Sequence, residues 1–154
     1  MPKPWDASQA ETIIRPHAAL EGPLLPILHA LNTEFGCVPE AATALIAEAL
    51  NLSRAEVHGV ISFYHDFHRA PRGRLTVKLC RAEACQAMGG REAAAALLAT
   101  LGLDWGGTSA DGAVTIDPVY CLGLCATAPA ALIGDTPAGR LDAQSLIARV
   151  EAAR

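Results

Sequence analysis

The first part of the chain repeats its apolar residues with the period of an α-helix. In the clearest segment, apolar residues recur three and four positions apart as far as Gly36, which is well placed to end a helix. Ser53 and Glu56 match a capping box, in which each side chain satisfies a free amide at a helix start. The predicted helical segments are 10–20, weakened by Pro16, then 24–35, 39–50 and 53–63. The pattern therefore predicts a helical bundle over residues 10–68, preceded by a loose polar arm over residues 1–9.

Beyond residue 73 the helical period gives way to short apolar runs. Leu75–Leu79 alternates apolar with polar residues, which predicts a strand with one solvated face. Two further apolar runs, 114–116 and 131–133, follow turn signals and predict two more strands. An Ala- and Leu-rich segment over 90–101 predicts a helix between the first two strands, and Asp142 is a good N-cap for a last helix.

This order of elements predicts the fold class. The order is a strand, a helix, two strands and a final helix, and the first helix is long enough to cross over between parallel strands. That combination is typical of a small thioredoxin-like α/β domain, here over residues 73–154. We therefore expect an α+β protein in which the N-terminal helical bundle precedes that domain.

Composition and charge narrow the possible functions. Hydrophobic residues make up 51% of the 154 residues and charged residues 18%, so the chain has apolar material for a core and is not expected to be disordered. The net charge is −4 and neither half of the chain is basic, which argues against nucleic acid as a partner. No apolar targeting segment begins the chain, and no apolar run approaches the roughly 20 residues that span a bilayer. We therefore expect a cytoplasmic protein without membrane insertion.

Four of the five cysteines occur in two close pairs. Cys80 and Cys85 have four residues between them, and Cys121 and Cys125 have three. Both pairs lie in short Gly- and Ala-rich segments beside predicted strands. In a cytoplasmic protein such pairs favour metal binding or redox chemistry over structural disulfides. We therefore predict that the four thiolates meet at one end of the sheet and hold a metal centre.

A site of four thiolates suits either Zn²⁺ or an iron–sulfur cluster. Structural zinc sites use pairs with two to four residues between the cysteines, and these pairs lie at the wide end of that range. A four-residue spacing also opens the cysteine pattern of plant-type [2Fe–2S] proteins, and the wider reach suits a two-iron cluster in which each pair holds one iron. A turn at Gly123 and the cations Lys78 and Arg81 would favour such a negatively charged cluster. Spacing alone leaves structural zinc and simple buried thiols open as alternatives, whereas a thioredoxin-type dithiol needs two residues between its cysteines.

The other reactive residues form no recognisable site. Cys37 stands apart between two predicted helices and is expected to be a buried spare thiol. The five histidines show no metal-ligand spacing, and the aromatic residues of 63–67 are expected to pack a domain junction. No phosphate-binding loop, Ser-His-Asp arrangement or carboxylate pair stands out. We therefore predict no catalytic residue in this chain, which would instead move electrons for its partners.

The same segments resemble a known family. Over about residues 20–152 the chain resembles the thioredoxin-like [2Fe–2S] subunit of NADH-oxidising modules, the 24-kDa-type subunit of respiratory complex I. The segments that carry the resemblance are Gly36-Cys37-Val38-Pro39, Val60–Tyr64 with Phe67, Cys80–Cys85, Thr108–Gly112, and Cys121–Cys125 with Pro129. The resemblance implies a [2Fe–2S] cluster bound by Cys80, Cys85, Cys121 and Cys125.

Within this family, Arg81–Gln86 looks most like the gamma subunit of soluble NAD-dependent formate dehydrogenases. That resemblance implies a partner subunit that binds FMN, NAD and a [4Fe–4S] cluster, and a larger catalytic subunit with a molybdenum cofactor. It also implies that the [2Fe–2S] centre lies near the flavin. The alternatives are the equivalent subunit of complex I or of an NAD-reducing hydrogenase and, from another class of protein, a zinc-stabilised interaction module.

Overall fold

The computed structural model describes residues 3–154 and divides the chain into two compact units. The boundary falls between Pro71 and Arg72. The N-terminal unit is helical, and the C-terminal unit combines helices with a sheet. Each unit buries an apolar core of its own. The chain is therefore a mixed α+β protein, as its sequence predicts.

From residue 3 onward, the N-terminal unit is built from four helices. They are α1 (Ala7–His17), α2 (Leu24–Phe35), α3 (Glu40–Leu50) and α4 (Arg54–Phe63). Their apolar faces meet in one core, and each fully buried aliphatic or aromatic side chain there contributes roughly 1.5–3 kcal/mol. The largest of these side chains are Ile27, Leu28, Leu31, Phe35, Val38, Ile46, Val57 and Ile61.

The ends of these helices follow local sequence signals. Gly36 ends α2 in the left-handed conformation, at φ 68°. The capping box of α4 is confirmed, because the Glu56 amide donates to Ser53 Oγ at 3.2 Å and the Ser53 amide donates to Glu56 Oε2 at 2.8 Å. The start of α1 is also set by a cap, since the Gln9 amide donates to Asp6 Oδ1 at 2.9 Å.

The bounds predicted for the first helix were wrong at both ends. The Asp6 cap starts α1 at Ala7, so residues 7–9 of the predicted loose arm are helical. Pro16 lies inside α1, where it removes one backbone hydrogen bond, and the helix ends at His17 rather than at residue 20. Residues 1 and 2 of the predicted arm lie outside the described residues.

The C-terminal unit has the predicted order of strands and helices, with short elements added. It contains β1 (Leu75–Cys80), α5 (Glu83–Ala87), α6 (Gly90–Leu101), β2 (Val114–Val119), β3 (Ala131–Ile133), β4 (Thr136–Ala138) and α7 (Ala143–Ala153), with a single 3₁₀ turn at Cys125–Thr127. The sequence did not predict α5, which is only five residues long, or β4, whose central residue is a proline. No helix in the described part of the chain is long and apolar enough to cross a membrane.

The strand order and register of the sheet determine which strand ends lie next to each other. The strand order is β2-β1-β3-β4. β1 and β2 run parallel, with Leu75 opposite Val114 and Cys80 opposite Val119. β3 runs antiparallel to both β1 and β4. The carboxyl ends of β1 and β2 therefore lie side by side at one edge of the sheet.

Helices α6 and α7 pack against each other in the core of this unit. Val77 and Leu79 of β1 are buried in this core, and the edge strand β2 is buried continuously from Val114 to Asp117. The largest fully buried side chains are Val77, Leu97, Val114, Ile116 and Val150. This core fixes the sheet edge at which the cysteine-bearing segments emerge.

Candidate metal centre

The parallel pairing of β1 and β2 brings the two cysteine pairs together. Cys80 is the last residue of β1, and Cys85 follows it in the short helix α5. Cys80 pairs with Val119 of β2, and the chain reaches Cys121 two residues later. The Arg81 amide donates to the Val119 carbonyl at 2.7 Å, which extends the contact between the two segments past the end of the strands.

The two pairs differ in their exposure to solvent. Cys80 is 7% exposed and Cys85 is 1% exposed, whereas Cys121 and Cys125 are both exposed. A small apolar cluster surrounds the buried pair; its members are Ala82, Val119, Leu122, Leu124, Ala128 and Ala130. The site thus has a dry inner side and an outer side open to solvent.

The sulfur atoms of the exposed pair are close enough to share one metal atom. The Sγ atoms of Cys121 and Cys125 lie 3.6 Å apart. Two thiolates on one tetrahedral metal, each with a metal–sulfur bond of about 2.3 Å, are separated by about 3.8 Å. Cys80 and Cys85 are hydrogen-bonded through their side chains. The exposed pair therefore has the spacing that a shared metal atom needs.

The sulfur of Cys80 receives several hydrogen bonds. Burial raises the pKa of the Cys80 thiol, but the hydrogen bonds that its sulfur accepts outweigh burial and lower that pKa. The donors are the Ala82 amide, the Cys85 thiol, and the amides of Leu122 and Cys121. Donors that stabilise a thiolate also stabilise the sulfur of a negatively charged metal centre.

The pKa values of Cys85 and Cys125 shift in the opposite direction, upward. Burial raises the pKa of Cys85, and its hydrogen bond to Cys80 raises it further. At Cys125 the main cause is the hydrogen bond to Cys121, which raises the pKa of Cys125. The negative charge of Cys80 adds to the rise at both residues. The charge on Cys80 therefore influences both inner and outer thiols, Cys85 and Cys125.

The turn between Cys121 and Cys125 has an unusual backbone. Gly123 has φ 75°, as the sequence predicts for a sharp turn, and Cys121 has φ 116°, which is rare for a residue with a side chain. In this conformation the Gly123 amide donates to Cys121 Sγ at 3.3 Å. The strained turn therefore holds an amide against the sulfur of the exposed pair.

Four thiols in two pairs are the donor set that a two-iron cluster would use. Four soft sulfur donors suit iron–sulfur or zinc chemistry. Within residues 3–154, no group of three or more Cys, His, Asp or Glu side chains is placed to hold one metal ion. Two separate pairs are what a [2Fe–2S] cluster requires, because each iron takes two protein sulfurs and the bridging sulfides complete its coordination.

The remaining candidate residues lie in the N-terminal unit. Cys37 is buried there, and burial raises the pKa of its thiol. Phe67 is buried in the helical core and stacks edge-on against His29, with 5.0 Å between the ring centroids. Phe63 and Tyr64 are exposed. The predicted aromatic cluster therefore divides into one core residue and two surface residues.

The sequence did not single out three residues at or beside the site. The backbone amides of Ala82 and Leu122 donate to Cys80, and a backbone donor cannot be recognised from its side chain. The only sequence signal for them is that turns follow the cysteines. Trp105 is remote in sequence from both pairs, yet its ring lies 4.8 Å from the guanidinium carbon of Arg81. No local sequence pattern predicts this contact, because it depends on how the loop after α6 packs.

Comparison with known proteins identifies similar sequences. A family model described as thioredoxin-like [2Fe–2S] ferredoxin matches residues 10–154. The chain is 36% identical over 131 residues to a subunit of the NADH-quinone oxidoreductase of Rhizobium meliloti strain 1021, and the match covers 85% of this chain and 78% of the relative. It is 32% identical over 121 residues to the NADP-reducing hydrogenase subunit HndA of Solidesulfovibrio fructosivorans, with 79% and 71% covered.

A solved structure has a similar fold. It is the crystal structure of an NAD⁺-reducing [NiFe]-hydrogenase in the air-oxidised state, with a TM-score of 0.70 and 29% sequence identity. The match covers 84% of this chain and 22% of the hydrogenase chain. The chain therefore spans about a fifth of that larger protein.

Proposed function

This chain belongs to the thioredoxin-like [2Fe–2S] ferredoxin family, whose cofactor is a [2Fe–2S] cluster, and we propose that Cys80, Cys85, Cys121 and Cys125 bind that cluster. The observation that supports this assignment most is the meeting of both cysteine pairs at one edge of the sheet. The cluster supplies reversible one-electron transfer when it is bound. The residues of the chain would position the cluster, shield one side of it from water and leave the other side exposed.

Each part of the site has a separate role in this proposal. Cys80 and Cys85 hold the inner side, where the surrounding apolar cluster excludes water. Cys121 and Cys125 hold the outer side, which is exposed and so is accessible to an electron donor or acceptor. Tyr120, 73% exposed, precedes this pair. Exposed aromatic side chains are enriched at protein interfaces, which supports a partner docking over this side.

We place the chain in a larger NAD-linked oxidoreductase as its [2Fe–2S] electron-transfer subunit. The relatives are named as subunits of an NADH-quinone oxidoreductase and of an NADP-reducing hydrogenase. The resembling crystal structure is of an NAD⁺-reducing enzyme. In our proposal residues 73–154 form the [2Fe–2S] domain, and the helices of residues 10–68 dock on a subunit that binds FMN and NAD.

For the identity of the whole enzyme, we favour a soluble, molybdenum-containing formate dehydrogenase, in which this chain is the gamma subunit. The support is the segment Arg81–Gln86, which resembles that subunit. Electrons from formate would then reach FMN and NAD⁺, with this cluster beside the flavin. The partners would be the FMN- and NAD-binding subunit and a large catalytic subunit with the molybdenum cofactor and further clusters.

The equivalent subunit of complex I, or of an NAD-reducing hydrogenase, is a second candidate with its own support. The NADH-quinone oxidoreductase relatives at 32–36% identity and the hydrogenase structure at 29% identity favour it. Purification of the intact complex through a tag on this chain decides between the candidates. Molybdenum with formate-dependent NAD⁺ reduction supports the formate dehydrogenase. Nickel with hydrogen-dependent reduction, or quinone-linked NADH oxidation, contradicts it.

The cluster assignment itself is tested by metal and sulfide analysis of the anaerobically purified chain. We expect two iron and two labile sulfide per chain, and an electron paramagnetic resonance (EPR) signal that appears on reduction. One Zn²⁺ per chain without labile sulfide would overturn the proposal and support the zinc-stabilised interaction module instead.

A further inference from the structure

Arg81 is held in a fixed position immediately after a proposed cluster ligand. It follows Cys80 in the chain, and its amide donates to the Val119 carbonyl at 2.7 Å. Its guanidinium lies over the ring of Trp105, with 4.8 Å between the guanidinium carbon and the ring centroid. A guanidinium at this distance is attracted to the negative face of the indole, which is the strongest aromatic partner for a cation. Trp105 therefore restricts a side chain that would otherwise sample many rotamers.

A small cavity lies beside Arg81 and Trp105, and it has no part in the proposed binding of the cluster. Its volume is about 140 Å³, and its lining includes Cys80, Arg81, Gln86, Arg91 and Trp105. Two arginines thus line one cavity together with a proposed ligand. No carboxylate side chain lines this cavity among the described residues. The positive charge beside Cys80 is therefore not neutralised from within the cavity.

Gln86 links the Arg91 guanidinium to the main chain at Arg81. Its side-chain amide donates to the Arg81 carbonyl at 2.8 Å. Its side-chain oxygen accepts from Nε and Nη2 of Arg91, at 3.2 and 3.1 Å. Gln86 follows Cys85 directly, so the bridge from Arg81 through Gln86 to Arg91 braces the segment that contains the first cysteine pair. The Arg91 guanidinium is thereby tied to the main chain that presents the inner ligands.

We propose that Arg81, positioned by Trp105, raises the midpoint potential of the [2Fe–2S] cluster. The cluster gains one negative charge on reduction, so a nearby fixed positive charge stabilises the reduced form more than the oxidised form. The partly buried position weakens solvent screening of this interaction. Trp105 is a positioning residue in this proposal, since it acts only through Arg81. The inference rests on the proposed function, because it needs Cys80 to be a cluster ligand.

The test is a redox titration of the cluster-loaded protein followed by EPR. Arg81→Gln removes the cation and is expected to lower the midpoint potential. Trp105→Leu removes the aromatic face and should lower it in the same direction, whereas Trp105→Phe keeps an aromatic face and should stay closer to the wild-type value. Arg149→Gln, which removes an exposed arginine of α7 that does not line the cavity, is the matched control and should not shift the potential.

The outcomes separate this inference from the proposed function. A wild-type protein without any [2Fe–2S] signal means that the proposed function is wrong. An intact signal whose potential is the same in Arg81→Gln as in Arg149→Gln means that Arg81 does not set the potential. If Arg81→Gln fails to retain its cluster, Trp105→Leu decides alone, and an unshifted potential in that variant overturns the proposal. A shift in Arg81→Gln without one in Trp105→Leu overturns the role of Trp105.

Discussion

The sulfur atoms of Cys121 and Cys125 lie 3.6 Å apart on the exposed side of the site, while the other two thiols are buried. If each pair holds one iron, loss of either sulfur leaves one iron with a single protein thiolate. We therefore expect Cys121→Ser and Cys125→Ser each to weaken or abolish the [2Fe–2S] signal, and to shift the potential of any cluster that remains. EPR and iron content per chain measure both effects.

Cys37 supplies the matched control for these ligand variants. It is a free thiol like the proposed ligands, but it lies in the N-terminal unit, whereas they lie in the C-terminal unit. Cys37→Ser should retain the wild-type signal, although placing a hydroxyl in an apolar site costs some stability. Loss of the signal in Cys37→Ser with the fold intact would mean that the four ligands are wrongly assigned.

Gly90 allows α6 to start against the backbone of Cys85. A Cβ atom at position 90 would lie 2.5 Å from the Cys85 carbonyl oxygen and 3.0 Å from its carbonyl carbon. Gly90→Ala must therefore displace either α6 or the segment that contains Cys85. We expect a loss of about 1–3 kcal/mol in the free energy of unfolding, together with a lower iron content per chain. Urea unfolding and iron analysis of the same preparations measure the two effects.

Gly59 is the control for the substitution of glycine by alanine. It lies inside α4, and a Cβ there would meet no atom within 4 Å beyond the neighbouring backbone of its own helix. Gly59→Ala should stabilise the helix by up to about 1 kcal/mol, because alanine has the higher helix propensity. A Gly90→Ala variant as stable and as iron-rich as Gly59→Ala would contradict the close contact with Cys85.

Arg72 and Asp117 form a largely buried ion pair in the C-terminal unit. Arg72 Nη2 donates to Asp117 Oδ1 at 2.7 Å, and Nη1 donates to the Gly106 carbonyl at 2.8 Å. Their side chains are 22% and 12% exposed. Arg72→Leu leaves the Asp117 carboxylate without its cation, so we expect the free energy of unfolding to fall by about 3 kcal/mol. Chemical denaturation of the purified chain measures it.

Arg74 provides a comparison two positions away. It is exposed, and its contact with the Asp111 carbonyl is long, at 3.4 Å. Arg74→Leu should change the free energy of unfolding by no more than about 0.5 kcal/mol, as is usual for exposed positions. Equal losses in the two variants would show that the Arg72–Asp117 pair has no special role in stability.

Asp111 should make the stability of the fold depend on pH in the acid range. The Ser109 hydroxyl, the Arg154 guanidinium and the Ala113 amide donate to this carboxylate and hold its pKa well below the usual range. Its folded pKa is thus lower than its unfolded pKa of about 3.9. The stabilisation is therefore present above that unfolded value and is lost as the pH falls toward the folded pKa.

Asp111→Asn cannot ionise, so it should lose less stability than the wild type as the pH falls below about 4. Thermal unfolding by circular dichroism across this range measures the difference, with visible absorbance to follow the cluster. Asp135→Asn, in the turn between β3 and β4, controls for the loss of one carboxylate. Parallel pH profiles for the wild type and Asp111→Asn would rule out the proposed contribution.

Much of the fold follows from local pattern. The bounds of α6 agree with the predicted segment 90–101, because an Ala- and Leu-rich run between glycines has both the propensity and the end signals of a helix. The α4 capping box and the Asp142 cap of α7 were likewise predicted, since a cap involves residues only three positions apart. Elements without such signals were missed, notably β4 around Pro137 and the early start of α1 at its Asp6 cap.

The sequence by itself determined which residues are the candidate ligands and that they come in two pairs, because spacing and thiol chemistry are local properties. Only the tertiary structure decided that one pair is buried and the other exposed, which amides donate to Cys80, and that Trp105 lies over Arg81. These features depend on the parallel register of β1 with β2 and on the packing of the loop after α6. Such contacts join residues far apart in the chain, so neither periodicity nor spacing encodes them.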